Sequence, residues 1–206
     1  MRDEQFRFRP RHRTSRQLPR LFERITRNFG EKQLTGALFL DVAKAFDTFY
    51  IDDLIYKLTL LNFPFYIVHS ISSYIRSREF ETSFQTATPS RRGMWAVVAQ
   101  GGLISPVLFS LYVNDMPPPS HHVGLALYAD QTAIIATSRK PTLLFSYLES
   151  YLNDLQQWLS EWRIAINVPK STSLIFARAG RRFIEPRPVT LFGEPIQWVD
   201  KARYLW

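Results

Sequence analysis

A chain of 206 residues that is 46% hydrophobic and 21% charged can bury the core of one substantial domain, which excludes a disordered or fibrous protein. The absence of cysteine removes disulfide frameworks, thiolate metal sites and cysteine nucleophiles, and four histidines argue against a histidine-built zinc site. The net charge of +8 is unevenly placed: ten Lys+Arg against four Asp+Glu over residues 1–40, nine against eleven over 41–169, and seven against three over 170–206.

The arginine-rich start, with Arg7, Arg9, Arg11, Arg13, Arg16 and Arg20, suits a polyanion, because guanidinium forks bind phosphate oxygens and release counterions. A solvated basic tail has the same composition, and charge alone does not choose between them. Ala37 through Val42 is a short apolar run predicted as a buried strand, interrupted at its fifth position by Asp41. Asp52 and Asp53 open a predicted amphipathic helix to about Leu61, stopped by Asn62-Phe63-Pro64, and a second helix is predicted from Pro64 to Ile75. Residues 79–99 read as a strand pair around Pro89-Ser90-Arg91-Arg92-Gly93, and Pro106 to about Met116 as a helix ended by Pro117-Pro118-Pro119.

His122 to Tyr128 and Thr132 to Ala136 are strand candidates separated by Ala129-Asp130-Gln131, which predicts a hairpin with Asp130 at its tip. The clearest helix runs from Pro141 to about Trp162, where Leu144, Leu148, Tyr151, Leu155, Trp158 and Trp162 recur at spacings of three and four. Together these elements predict a mixed α/β fold with helices covering a sheet. No period of repeats and no Gly/Ser linker divides it, so one continuous domain is expected. No apolar run approaches the roughly 18 residues that cross a bilayer, and no secretory signal opens the chain. A soluble intracellular protein without a membrane partner is expected, with nucleus or cytoplasm left open.

Asp41 and Asp130 break the local rule, since each is a carboxylate in an apolar strand context where an unpaired charge is costly. A bound Mg²⁺ pair would offset that cost, because hard divalent cations take carboxylate and phosphate oxygens. Equally, Asp41 can accept backbone hydrogen bonds at a strand end and Asp130 can be an ordinary turn residue.

The surroundings narrow the choice. Asp41-Val42-Ala43-Lys44-Ala45-Phe46-Asp47, Gln100-Gly101-Gly102-Leu103-Ile104-Ser105-Pro106, Leu125-Ala126-Leu127-Tyr128-Ala129-Asp130 and Ile166-Asn167-Val168-Pro169-Lys170-Ser171 occur in order along the chain. In that order and spacing they resemble the polymerase motifs of non-LTR retrotransposon reverse transcriptases, the jockey-like group most closely. The resemblance begins at Gln5-Phe6-Arg7-Phe8-Arg9, continues through Leu111-Tyr112-Val113-Asn114-Asp115 and Trp162-Arg163-Ile164, and ends at Lys201-Ala202-Arg203-Tyr204-Leu205.

The resemblance implies a polymerase palm sheet with helices on one face plus a fingers subdomain. Residues 1–36 would form an N-terminal fingers segment and 37–200 the palm with a fingers insertion, the chain stopping near the primer-grip motif without a thumb. It implies an RNA-directed DNA polymerase acting on an RNA template, a DNA primer and deoxynucleoside triphosphates, with oligomeric state left open. Asp41, Asp130 and the Val42 carbonyl would hold two Mg²⁺ ions, with Mn²⁺ as a substitute. Lys170 would neutralise or protonate the pyrophosphate leaving group. Phe46 would exclude a ribose 2′-OH by steric clash. Arg9 would lie near the triphosphate, and Gln100 and Gly101 would pack against the templating base and incoming nucleotide. Arg76 and Arg78 suit template phosphates or a solvated helix end.

Several positions depart from the family pattern. Gln131 stands where the hairpin has its second aspartate, removing a carboxylate that helps balance two divalent ions. Val97 and Ala99 replace the usual glycine and proline, Gly102 a serine, Ser105 a glycine, and Trp206 the glycine after Tyr-Leu. Impaired polymerisation is therefore expected, and the alternative is a catalytically inactive nucleic-acid-binding remnant.

Overall fold

The first element is one the sequence reading does not anticipate, a helix within the arginine-rich start. The computed structural model describes residues 14–42, 50–76, 79–81, 91–93, 104–128, 131–181 and 187–202. In chain order the elements are α1 (Thr14–Gly30), β1 (Leu34–Asp41), α2 (Ile51–Leu60), α3 (Phe65–Arg76), β2 (Glu79–Glu81), β3 (Arg91–Gly93) and α4 (Ser105–Tyr112). Then come β4 (Val123–Tyr128), β5 (Gln131–Ser138), α5 (Pro141–Glu161), a 3₁₀ turn (Val168–Lys170), β6 (Thr172–Phe176), β7 (Val189–Leu191) and β8 (Glu194–Ile196). They fall into two units, residues 1–43 with 114–206, and residues 44–113.

The first unit is built on an antiparallel sheet ordered β4-β5-β1-β6. β1 is an inner strand, paired with β5 on one edge and β6 on the other, and buried along almost its whole length. A strand covered on both faces reads as a continuous apolar run rather than an alternating one, which is why Leu34 to Leu40 lacks charge. α5 covers one face. At Gly36 a Cβ would stand 3.1 Å from Leu148 Cδ1 and 3.4 Å from Leu144 Cδ2, so this glycine sets how closely the helix approaches the sheet.

α1 packs on the other face, where Ile25 meets Ala37 and Ile135, flanked by Phe29, Phe39 and Phe176. Asn28 Nδ2 donates to Thr35 Oγ1 at 2.9 Å, pairing two buried polar groups. Farther along the same face the Arg24 guanidinium lies over Gly124, occupying the space any Cβ there would need. Burial, with a smaller contribution from neighbouring Arg27, lowers the pKa of Arg24 from its ordinary value.

α1, α2 and α5 end alike, with Lys32, Asn62 and Arg163 in the left-handed region at φ 56°, 55° and 53°. The following amide of each reaches back five residues, as Ile164 N does to Leu159 O at 2.9 Å, which satisfies the last carbonyls of the helix. β7 and β8 join through Phe192 and Gly193, both at positive φ, which matches a two-residue mirror-image turn. Gln156 Oε1 on α5 accepts from Phe192 N at 2.6 Å and ties this hairpin to the helix. Ser173 on β6 bridges Trp198, so the outer edge of β6 does not end the pairing.

In the second unit, Lys57 on α2 is buried, donates to the carbonyl of Tyr112 at the end of α4 and sits 4.5 Å from the centre of the Tyr112 ring. A cation at a helix C-terminus also meets the negative end of the helix dipole. Asp52 in the first turn of α2 pairs with Arg76 at the end of α3, both exposed.

The mixed α/β fold expected from the sequence is the one found. β1 begins at Leu34 rather than Ala37, and β5 runs on to Ser138. α4 stops at Tyr112 rather than Met116, because Val113-Asn114-Asp115 turns, and Asn and Asp bond locally in preference to continuing a helix. The strand pair expected at 79–99 is described as β2 and β3, but Arg91–Gly93, read as part of the turn, is itself the second strand, paired with Glu79–Glu81. α1, β6, β7 and β8 are additions. Among the described residues no helix is long and apolar enough to cross a membrane.

Replacing Gly36 by Val should force Leu144 and Leu148 away from the sheet and lower unfolding stability by about 2 kcal/mol in urea titration. Gly30→Ala, where a Cβ meets nothing within 4 Å, should stay within about 0.5 kcal/mol of the natural chain.

Candidate active site

Strand alternation determines which face Asp41 shares. Thr35, Ala37 and Phe39 lie on the α1 face, and Asp41, two residues on, continues that row at the end of β1. Asp41 is half-buried, whereas Leu38 and Leu40 behind it are fully buried, so the carboxylate sits where the apolar strand meets its boundary. The register sets Asp41 directly opposite Gln131, the first residue of β5, and Gln131 opposite Tyr128, the last of β4. Cβ atoms of opposed antiparallel residues stand about 4.5–5.5 Å apart, which makes Gln131 a direct cross-strand neighbour of Asp41.

The backbone at this strand end is clasped by residues 166–171. Asn167 N donates to Asp41 O at 2.8 Å, Asp41 N donates to Ser171 Oγ at 3.3 Å, and Val42 bridges Ile166. Ser171 Oγ itself donates to Asn167 O at 2.9 Å, closing the clasp on a buried hydroxyl. Asn167 also caps the 3₁₀ turn, its Oδ1 accepting from Lys170 N at 3.3 Å. Two segments 129 residues apart in sequence, Asp41 and the turn carrying Lys170, are thereby held as one local structure.

Of the sequence-derived candidates, Asp41, Val42 and Lys170 come together in this clasp, with the Lys170 side chain exposed. Arg9, Phe46, Gln100, Gly101 and Asp130 lie outside the described residues. Asn167 and Ser171 are the residues for which sequence reading assigned no role. Their work is done on backbone groups of a distant strand, and the only trace in the sequence is a hydroxyl following Lys170 in a short Asn-Val-Pro-Lys-Ser turn.

The register brings together the Asp41 carboxylate and the Gln131 amide, whose metal-donor atoms are oxygens. That donor set fits a hard divalent cation rather than a soft one. Among the described residues no group of three or more His, Cys, Asp or Glu is placed to hold a metal ion.

Comparison with known proteins gives a consistent picture. The family model for reverse transcriptase (RNA-dependent DNA polymerase) matches residues 1–205. The chain is 32% identical over 213 residues to the probable RNA-directed DNA polymerase from transposon BS of Drosophila melanogaster, covering 98% of this chain and 23% of that protein. It is 32% identical over 180 residues to the RNA-directed DNA polymerase from mobile element jockey of the same species, covering 84% of this chain and 20% of that protein. The chain thus spans less than a quarter of the length of these curated relatives. In fold it is similar to apo telomerase from Candida tropicalis truncated from its C-terminal domain, with a TM-score of 0.63 at 12% identity over 88% of this chain and 38% of the other.

The opposition of residues 41 and 131 has a measurable consequence for stability. Gln131→Asp places two carboxylates cross-strand, and in a chelator it should lower unfolding stability by about 0.5–1 kcal/mol. Thermal unfolding of that variant should then recover with added Mg²⁺ by more than the natural chain does.

Proposed function

Because the chain belongs to the reverse transcriptase (RNA-dependent DNA polymerase) family, we propose that it works as the RNA-directed DNA polymerase domain of a non-LTR retrotransposable element. The reaction joins a deoxynucleotide to a primer 3′-OH on an RNA template: the 3′-oxygen bonds to the α-phosphorus and the bond to pyrophosphate breaks. The observation that carries the proposal is the register of β1 with β5, which opposes Asp41 and Gln131, the residue after Asp130, at the strand end clasped by the Lys170 turn.

Reverse transcriptases as a family use divalent metal ions. For this chain the proposal is two Mg²⁺ held by Asp41, Asp130 and the Val42 carbonyl, a pair that when bound would polarise the phosphoryl oxygens and balance charge on the attacking and leaving oxygens. Lys170, exposed on its turn, is assigned to the pyrophosphate, where its ammonium donates to the departing oxygen. Phe46 is assigned the exclusion of a ribose 2′-OH, and Arg9, Gln100 and Gly101 the contacts with the incoming nucleotide. RNA template, DNA primer and deoxynucleoside triphosphates are the proposed partners.

Gln131 favours a second reading, a chain that grips nucleic acid without synthesis, since one carboxylate fewer weakens the hold on two divalent ions. Primer extension on an RNA template in Mg²⁺ and in Mn²⁺ separates the two. Gln131→Asp should raise incorporation by about 10²- to 10³-fold, and Asp41→Ala should abolish it. Incorporation that survives Asp41→Ala would refute the polymerase reading, and silence in the natural chain and in Gln131→Asp alike would favour the binding remnant.

A further inference from the structure

The end of the sheet opposite Asp41 carries a second set of groups that nucleotide addition does not use. Because the strands are antiparallel, the start of β4, the end of β5, the start of β1 and the end of β6 form one row. Leu34 opposes Ser138 and Asp41 opposes Gln131, so the two ends of the β1–β5 pairing lie about 23 Å apart at the usual rise per residue. Four strands side by side make the row about 14 Å wide, a span of several phosphates.

Cations line this row. Lys32 precedes β1, Arg139 and Lys140 follow β5, and Arg178 and Arg181 follow β6, while Glu31 is the one carboxylate within these strand-end segments. The Arg181 guanidinium donates to the carbonyls of both Lys32 and Arg139, so three strand ends are tied together by backbone-directed bonds. Lys32, Arg139, Lys140 and Arg178 are exposed, and no ion pair among the described residues engages them.

The β4 end of the row adds aromatic faces. His121 and His122 stack with ring centres 5.2 Å apart and planes within 6°, and His122 stacks on Tyr147 of α5 at 4.4 Å and 11°. Both histidines are exposed. His122 O accepts from Thr137 N at 3.2 Å, which fixes this stack two residues from Arg139.

A row of exposed cations beside a stack that presents two exposed histidine rings is the combination that holds single-stranded nucleic acid, charge following the backbone and ring faces taking the bases. We infer that this pole of the sheet is a binding surface for single-stranded RNA, separate from the Asp41 end, with Arg139, Lys140 and Arg178 contacting phosphates and the His121–His122–Tyr147 stack receiving a base. A lipid surface would use the cations but not the coplanar stack. The inference concerns equilibrium binding and stands whether or not the chain polymerises.

The test is fluorescence anisotropy of a short labelled oligouridylate, and of a duplex RNA, titrated with the full chain over a range of KCl concentrations. The triple variant Arg139→Ala/Lys140→Ala/Arg178→Ala should weaken binding at least about tenfold and reduce the log–log salt slope by about 2, three phosphate contacts at about 0.7 each. The pair His121→Ala/His122→Ala should weaken single-strand binding about fivefold or more, leave the salt slope unchanged and affect the duplex little. Unchanged affinity and slope in the triple variant would overturn the inference. So would a histidine pair that alters single strand and duplex equally, or losses confined to vesicles of phosphatidylserine and phosphatidylcholine. Because the readout is binding, failure of primer extension leaves this result intact, and failure here leaves the polymerase reading intact.

Discussion

A strand that is hydrogen-bonded on both edges and packed on both faces has no freedom of register, and β1 is such a strand. A slip of one residue against β5 would exchange its two faces, setting Gly36, Leu38 and Leu40 where Thr35, Ala37 and Phe39 stand. The contact of Gly36 with Leu144 and Leu148, and that of Thr35 with Asn28, would be lost together. Core packing several residues away therefore dictates that Asp41 opposes Gln131. The same constraint explains why the carboxylate comes at the strand's end: one residue earlier it would be fully buried, where an ionised group is costly without a partner. Asn167 and Ser171 then hold both backbone groups of Asp41, so the site is supported by bonds to main chain.

Gln131 sets the electrostatics of that end. Two carboxylates opposed across a pair of strands repel unless a cation lies between them, and an amide removes the repulsion at the expense of attraction for the cation. An amide at 131 therefore eases folding without metal and lowers the attraction for the proposed pair of divalent ions. At the other end of the sheet the charge among the described residues is positive, five cations against Glu31. About 23 Å exceeds the Debye length of roughly 8–10 Å at ordinary salt, so the two ends act on their ligands independently.

Much of this architecture is legible in the sequence, and the illegible parts share physical causes. The β4–β5 pairing and α5 follow from runs long enough to display a period, and α5 matches its leucine spacing almost to the residue. α1 is hidden because arginine density and Pro19 read as a tail, although Phe22, Ile25 and Phe29 carry a helical stripe. β7 and β8 are three residues each, too short to show alternation, and Phe192-Gly193 lacks the Asn-Gly or Asp-Gly that announces their turn. For the candidate site, Asp41 stands out as a charge in an apolar run, and Lys170 through its motif. The clasp through Asn167 and Ser171 does not, since a side chain that bonds distant backbone imposes no pattern on its partner. The basic pole is equally invisible, because its cations come from three separate segments that only the sheet brings together.

The central claim, that a divalent cation is held at the Asp41 end of β1, is tested most directly by adding substoichiometric Mn²⁺ to isotopically labelled protein and recording which amide resonances broaden. The account predicts broadening centred on Asp41, Val42 and Gln131 and reaching the Lys170 turn, abolished by Asp41→Ala. Broadening centred elsewhere, or unchanged by Asp41→Ala, would contradict it.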